Sequence, residues 1–117
     1  MAVVEVEVPF DGADDVPRAQ VHARVGDDVV LRFEDRSAGT GYRWESAPGG
    51  GPLALVGDER RPGVGPGVPG VHAFTFRADR AGEGRLAFAL RRAWEPGPVA
   101  TAVVAVVVDG TGLAQGE

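Results

Sequence analysis

Apolar side chains in this chain recur at every second residue, and no stretch sustains the three-and-four spacing of an amphipathic helix. Val4, Val6 and Val8 alternate with Glu5 and Glu7, and Val29, Leu31 and Phe33 with Val30, Arg32 and Glu34. Tyr42 and Trp44 flank Arg43; Phe74, Phe76 and Ala78 alternate with Thr75 and Arg77; Leu86, Phe88 and Leu90 alternate with Ala87, Ala89 and Arg91. Successive side chains of a strand point to opposite faces, so each set marks one core face and one solvent face. Residues 20–24 and 53–60 carry weaker versions of the pattern. Residues 99–108 depart from it: the run is almost wholly apolar and Val-rich, which predicts a strand buried on both faces or covered by a partner.

Eighteen Gly and nine Pro cut these runs short. Gly26-Asp27 supplies a turn that tolerates positive φ. Ala81-Gly82-Glu83-Gly84 does the same between the Phe74 and Leu86 runs, which reads as an antiparallel hairpin. About six to eight short strands at this spacing make a β-sandwich, with Trp44 as its buried tryptophan. A chain of 117 residues suits a single domain, here residues 1–108, followed by a Gly-rich, frayed tail over 109–117.

Composition closes off several functions. There is no Cys, so disulfides, thiolate metal sites and cysteine nucleophiles are excluded. The net charge is −5, with 17 acids against 12 basic residues that are all arginine, so no basic face is expected for nucleic acid. Arg60, Arg61, Arg91 and Arg92 could make a local positive patch but read as solvated loop and strand residues. Glu5 and Glu7 interrupt the first apolar run, which therefore reads as a strand and not as a signal peptide. No run approaches the ~20 apolar residues of a membrane helix. The chain is expected to be soluble, cytoplasmic as it stands with a secreted or periplasmic form as the alternative, free of membrane contact and monomeric.

Enzyme chemistry is poorly supplied. His22 and His72 sit in strand-like stretches without a partner pattern, and there is no Gly-x-Ser-x-Gly elbow. Gly65, Gly67 and Gly70 formally fit a dinucleotide fingerprint, but prolines interrupt it and a Phe-rich strand follows where a helix is required. The acids Asp11, Asp14 and Asp15, or Asp27 and Asp28, lack the spacing of a calcium loop. No catalytic residue, metal or cofactor is expected.

What remains are three segments that join Gly or Pro to aromatic or hydroxyl residues at the ends of strands: SAGTGYRW, GVGPGVPG and RRAWEPG. Loops held by a rigid sheet are where binding concentrates. In order and spacing, GDDVVLRF, SAGTGYRW, GVPGVHAFTFRA and RLAFALRRAWEP together resemble the chagasin-type inhibitors of papain-like cysteine proteases, over residues 26–108. The resemblance implies an all-β fold, an immunoglobulin-like antiparallel β-sandwich of about seven or eight strands. It also implies a non-enzymatic, reversible inhibitor whose three loops form a wedge in the cleft of a papain-like cysteine protease. The first loop would be Ser37, Ala38, Gly39, Thr40, Gly41 and Tyr42; the second Gly67, Val68, Pro69 and Gly70; the third Arg92, Ala93 and Trp94.

Trp94 is the expected anchor, Arg92 a residue that stacks on a ring or pairs with an acid at the cleft rim, and Tyr42 and Trp44 supports at the loop base or in the core. Against the family's N-P-T-T-G, G-x-G-G and R-P-W, this chain has Ser37-Ala38 for Asn-Pro, Gly39 for the first Thr, Pro69 for a Gly and Ala93 for Pro. Fewer prolines and an added glycine predict looser free loops and weaker inhibition, or a different target. The alternative is a chagasin-like scaffold without inhibitory activity whose altered loops recognise another partner.

Overall fold

Each alternating run ends up with its apolar set on a core face. The computed structural model describes residues 2–10, 16–47 and 51–110. In chain order these form β1 (Val3–Val8), β2 (Ala19–Arg24), β3 (Asp28–Asp35), a single helical turn α1 (Ser37–Thr40), β4 (Arg43–Ser46), β5 (Leu53–Arg61), β6 (Gly70–Ala78), β7 (Gly82–Arg91) and β8 (Ala100–Asp109). Two four-stranded sheets result, in the orders β1-β3-β6-β5 and β2-β8-β7-β4. Their inner faces meet as a sandwich of the immunoglobulin-like kind. Asp11, Asp14, Asp15 and the tail beyond Gly110 lie outside the described residues.

The core is built from the inward set of each strand. Val29, Leu31 and Phe33 of β3 and Phe74 and Phe76 of β6 face Leu86, Phe88 and Leu90 of β7 and Ala102, Val104 and Val106 of β8, all of them buried. Phe33 is the hub: its ring centroid lies 4.7 Å from Phe88, 5.1 Å from Trp44 and 5.6 Å from Phe74. Each fully buried side chain of this size contributes about 1.5–3 kcal/mol. Trp44 is 2% exposed, which gives it the buried-tryptophan role expected from the sequence.

The segment around Gly82 differs from expectation. β6 and β7 are not a hairpin, because they lie in opposite sheets. Their phenylalanines meet across the interior, Phe74 and Phe88 with centroids 5.2 Å apart, whereas paired strands would set such rings side by side in one sheet. The true hairpins are β5–β6 and β7–β8.

Two pairings are also parallel: β1 with β3, and β2 with β8. Each is reached by a crossover through the other sheet, as a parallel pair requires, so the sandwich is mixed and not purely antiparallel. β8 is not buried on both faces either. Its inward residues alternate with partly exposed Thr101, Val103, Ala105 and Val107, which are shaded by the flanking strands β2 and β7 and not by a covering layer.

Strand register places the three candidate loops at one end. In the first sheet Asp35 stands opposite Gly70 and Arg61 opposite Val71; in the second Arg43 stands opposite Arg91 and Leu90 opposite Ala100. α1 therefore crosses between the sheets at the same end at which the β5–β6 and β7–β8 hairpins turn.

At the other end Asp27 is buried and acts as a knot. Its carboxylate accepts the Ala2 N–H at 3.0 Å and the Arg24 N–H at 2.9 Å, and its carbonyl accepts the Ala78 N–H. The Arg24 N–H, helped by the Ala2 N–H, holds the Asp27 carboxyl below the ordinary carboxylate range against the opposing effect of burial. Asp28 pairs with Arg77. Both acids thus serve structure.

Candidate functional site

The first loop is tighter than its glycines suggest. Ser37, Ala38, Gly39 and Thr40 form the helical turn α1, which Gly41 closes as a left-handed cap at φ 78° with its N–H on the Ser37 carbonyl at 2.8 Å. Both ends are fastened by side chains. The Asp35 carboxylate accepts the Ser37 N–H at 2.9 Å, while the Thr40 hydroxyl donates to the Arg36 carbonyl at 2.8 Å and accepts the Tyr42 N–H at 3.1 Å. Arg36, just before the turn, lies over the Phe10 ring at 3.9 Å and pairs with Glu34.

The second loop turns one step earlier than the sequence suggested. Val68 N–H bonds to the Gly65 carbonyl across Pro66-Gly67, with Gly67 at φ 76°, the arrangement of a type II turn with Pro and Gly at its centre. Gly67 lies in the tip, Val68 and Pro69 follow it, and Gly70 is already the first residue of β6. A Cβ on Gly70 would lie 2.2 Å from the Arg61 carbonyl oxygen, so the neck of this loop closes only around glycine. Between α1 and this loop is a groove of about 710 Å³, walled by Asp35, Ser37, Arg60, Gly63 and Val68.

The third loop is clasped to the first. Arg92 lies 3.9 Å over the Tyr42 ring and 5.6 Å from the Trp94 ring. Glu95 completes the clasp, accepting the Tyr42 hydroxyl at 3.2 Å and pairing with Arg92 at 3.6 Å. Arg92, expected to stack on a ring or to pair with an acid at the cleft rim, here stacks on Tyr42 and pairs with Glu95 of its own chain. Ala93 is exposed at the turn. Trp94 is 70% exposed, yet one side of it covers Gly41: a Cβ there would stand 2.6 Å from its Cη2 atom. Tyr42 is half-buried, packed against the core as a base for the loops.

The structure therefore brings all three predicted segments to one edge, joins the first to the third, and ties the first to β5, the strand that leads into the second. Sequence reasoning missed the residues that do the joining. Asp35, Arg60 and Glu95 look like ordinary surface charges in the sequence; only Asp35 two residues before Ser37, the spacing of an Asx turn, carried a local signal. Arg60, read as solvated, bonds to Asp35 and Ser37.

Neither histidine lies in this edge. His72 is buried, stacked on Phe74 and bonded to Asp58; His22 is exposed and paired with Asp109. The Gly65–Gly70 stretch leads into strand β6, so the helix of a dinucleotide site is lacking there. Among the described residues no cluster of three or more His, Cys, Asp or Glu could hold a metal.

Comparison with known proteins bears on the family and the fold. Residues 22–108 match the chagasin family of peptidase inhibitors, I42, and the chain belongs to that family. Its members are inhibitors, and the protein is not an enzyme. A cysteine protease inhibitor from Entamoeba histolytica superposes with a TM-score of 0.71 at 17% identity, covering 92% of this chain and 96% of that one. Amebosin superposes with a TM-score of 0.56 at 20% identity, covering 92% and 97%. At these identities the likeness is one of fold. No curated protein matches the chain.

Proposed function

We propose that this protein is a reversible, non-covalent inhibitor of papain-like cysteine proteases, acting as a monomer and presenting its three loops as one wedge to the active-site cleft. The observation that carries the reading is Trp94: a large aromatic side chain 70% exposed, yet fixed in place against Gly41 and Arg92. An anchor already oriented before contact loses little freedom on binding, and exposed tryptophans of this kind are common hot spots. Ser37–Tyr42 and Gly67–Gly70 then contribute shape and backbone groups on either side of the groove. The looseness expected from the missing prolines is offset by the side-chain fastenings of the first and third loops.

The membership of an inhibitor family supports the activity, and the fold shared with a cysteine protease inhibitor supports the class of target. Titration of the purified protein against papain or a cathepsin tests it. Dose-dependent, reversible loss of protease activity is expected, with the inhibitor recovered uncleaved. No inhibition at high micromolar concentration overturns the reading and leaves the same edge to a different partner.

A further inference from the structure

We infer that Arg60 is a positioning residue that holds the first loop in its binding shape from the neighbouring strand, an inference that rests on the inhibitory reading above. The sequence of β5 makes Arg60 unusual. A register shift between Leu55 and Gly57 brings Asp58 opposite Phe74 and Arg60 opposite His72, so both charged residues share the inward side of β6 near the open edge of the sheet. Arg60 is exposed there, yet it has two partners across β6, one at the end of β3 and one on the first loop. Its Nε donates to Asp35 Oδ2 at 3.0 Å and its Nη2 to the Ser37 hydroxyl.

Asp35 in turn accepts the Ser37 N–H through its other oxygen. The Asp35 side chain is only 8% exposed. Burial opposes its charge, but the Ser37 hydroxyl and N–H and the Arg60 guanidinium outweigh that and hold the carboxyl below its ordinary range. The result is a closed ring of three residues from β3, α1 and β5 along the wall of the groove between the first and second loops.

The need for such a ring follows from the loop itself. A four-residue helical turn does not sustain itself in water, and this one includes Gly39 and no proline. Of the contacts holding α1, those from Asp35 and Thr40 come from within or just beside the turn, whereas Arg60 fixes it to a different part of the sandwich. Removing Arg60 lowers the fraction of free protein with the loop in its competent shape. The apparent affinity falls by that fraction, through slower association and not through faster dissociation.

Arg60→Ala, Arg60→Lys and Ser37→Ala variants, with folding verified by melting temperature, test this by two readouts. The first is amide hydrogen exchange in the free protein. In Arg60→Ala the Ser37 and Gly41 amides should exchange about tenfold faster, while amides of β7 and β8 remain unchanged. The second is the kinetics of papain inhibition. The association rate should fall about fivefold or more, with dissociation unchanged. Arg60→Lys, keeping the charge but not the two-armed geometry, and Ser37→Ala, removing one arm, should fall between wild type and Arg60→Ala on both.

Unchanged exchange in Arg60→Ala overturns the proposal. So does faster dissociation at an unchanged association rate, which would make Arg60 a direct contact. A wild-type protein that does not inhibit overturns the inhibitory reading alone, and the exchange rates then decide the tether by themselves.

Discussion

At the end of the sandwich away from the loops, Asp27 gathers backbone groups: the N–H of Ala2 and Arg24 on its carboxylate, and the N–H of Ala78 on its carbonyl. At the loop end the ties run mainly from side chain to side chain, Arg60 to Asp35 and Ser37, Arg92 to Tyr42 and Glu95. The first arrangement joins strands and is part of the fold. The second joins surface segments to each other and can be altered while the sheets stay intact. A scaffold of this kind can keep its stability and its recognition surface on nearly separate residues.

That separation can be broken from either side. The largest loss of stability is expected from Asp27→Ala, which leaves two part-buried N–H groups without their acceptor: its melting temperature should fall further than that of any single change among the loops, while the inhibition constant of the folded fraction stays within about twofold. A large loss of inhibition at a temperature where this variant is folded would show that the two ends are coupled. Gly41→Ala is the converse. It forces a side chain into a left-handed position costing about 1–3 kcal/mol and drives its Cβ into the Trp94 ring; inhibition should weaken about 30-fold or more.

Trp94→Ala should weaken inhibition at least about tenfold, with thermal stability nearly unchanged, since the residue is exposed. Unchanged potency would remove it as the anchor. The mildest change, Arg92→Lys, gives up the planar stacking on Tyr42 and should cost about two- to fivefold in inhibition.

Acid sharpens the comparison differently. Asp27 and Asp35 both have carboxyl groups held below the ordinary value of 3.8 in the folded protein. Their contributions are therefore fully present above that ordinary value and lost as pH falls through the lowered ones. Melting temperature should be nearly flat from pH 7 to about 5 and decline below about 4. The decline should be shallower in Asp27→Ala. A rise on acidification would contradict the assignment of both carboxylates.

The sequence was informative where one side chain decides one face. Phe33, Phe74, Phe88 and Trp44 could be placed inside from alternation alone, because burial on a pleated strand depends only on parity. Pairing was not legible in the same way. Ala81-Gly82-Glu83-Gly84 looks alike whether the chain folds back within a sheet or steps across to the other, and only the meeting of Phe74 with Phe88 decides it. At the loops, the composition of Ser37–Tyr42 and Arg92–Trp94 marked the segments, but not the charges beside them. Asp35 and Arg60 come together because both strands flank β6, Asp35 opposite Gly70 and Arg60 opposite His72.

The parallel pairing of β2 with β8 also governs how the chain must be made. Residue 19 has its ladder partner at residue 104, and β8 lies between β2 and β7. During synthesis the second sheet therefore lacks an inner strand until residues 100–109 have left the ribosome. Until then β2 and β7 present open edges to any neighbouring nascent chain. Folding of the second sheet should be slow and wait for β8, and a chain truncated before β8 should aggregate, not fold.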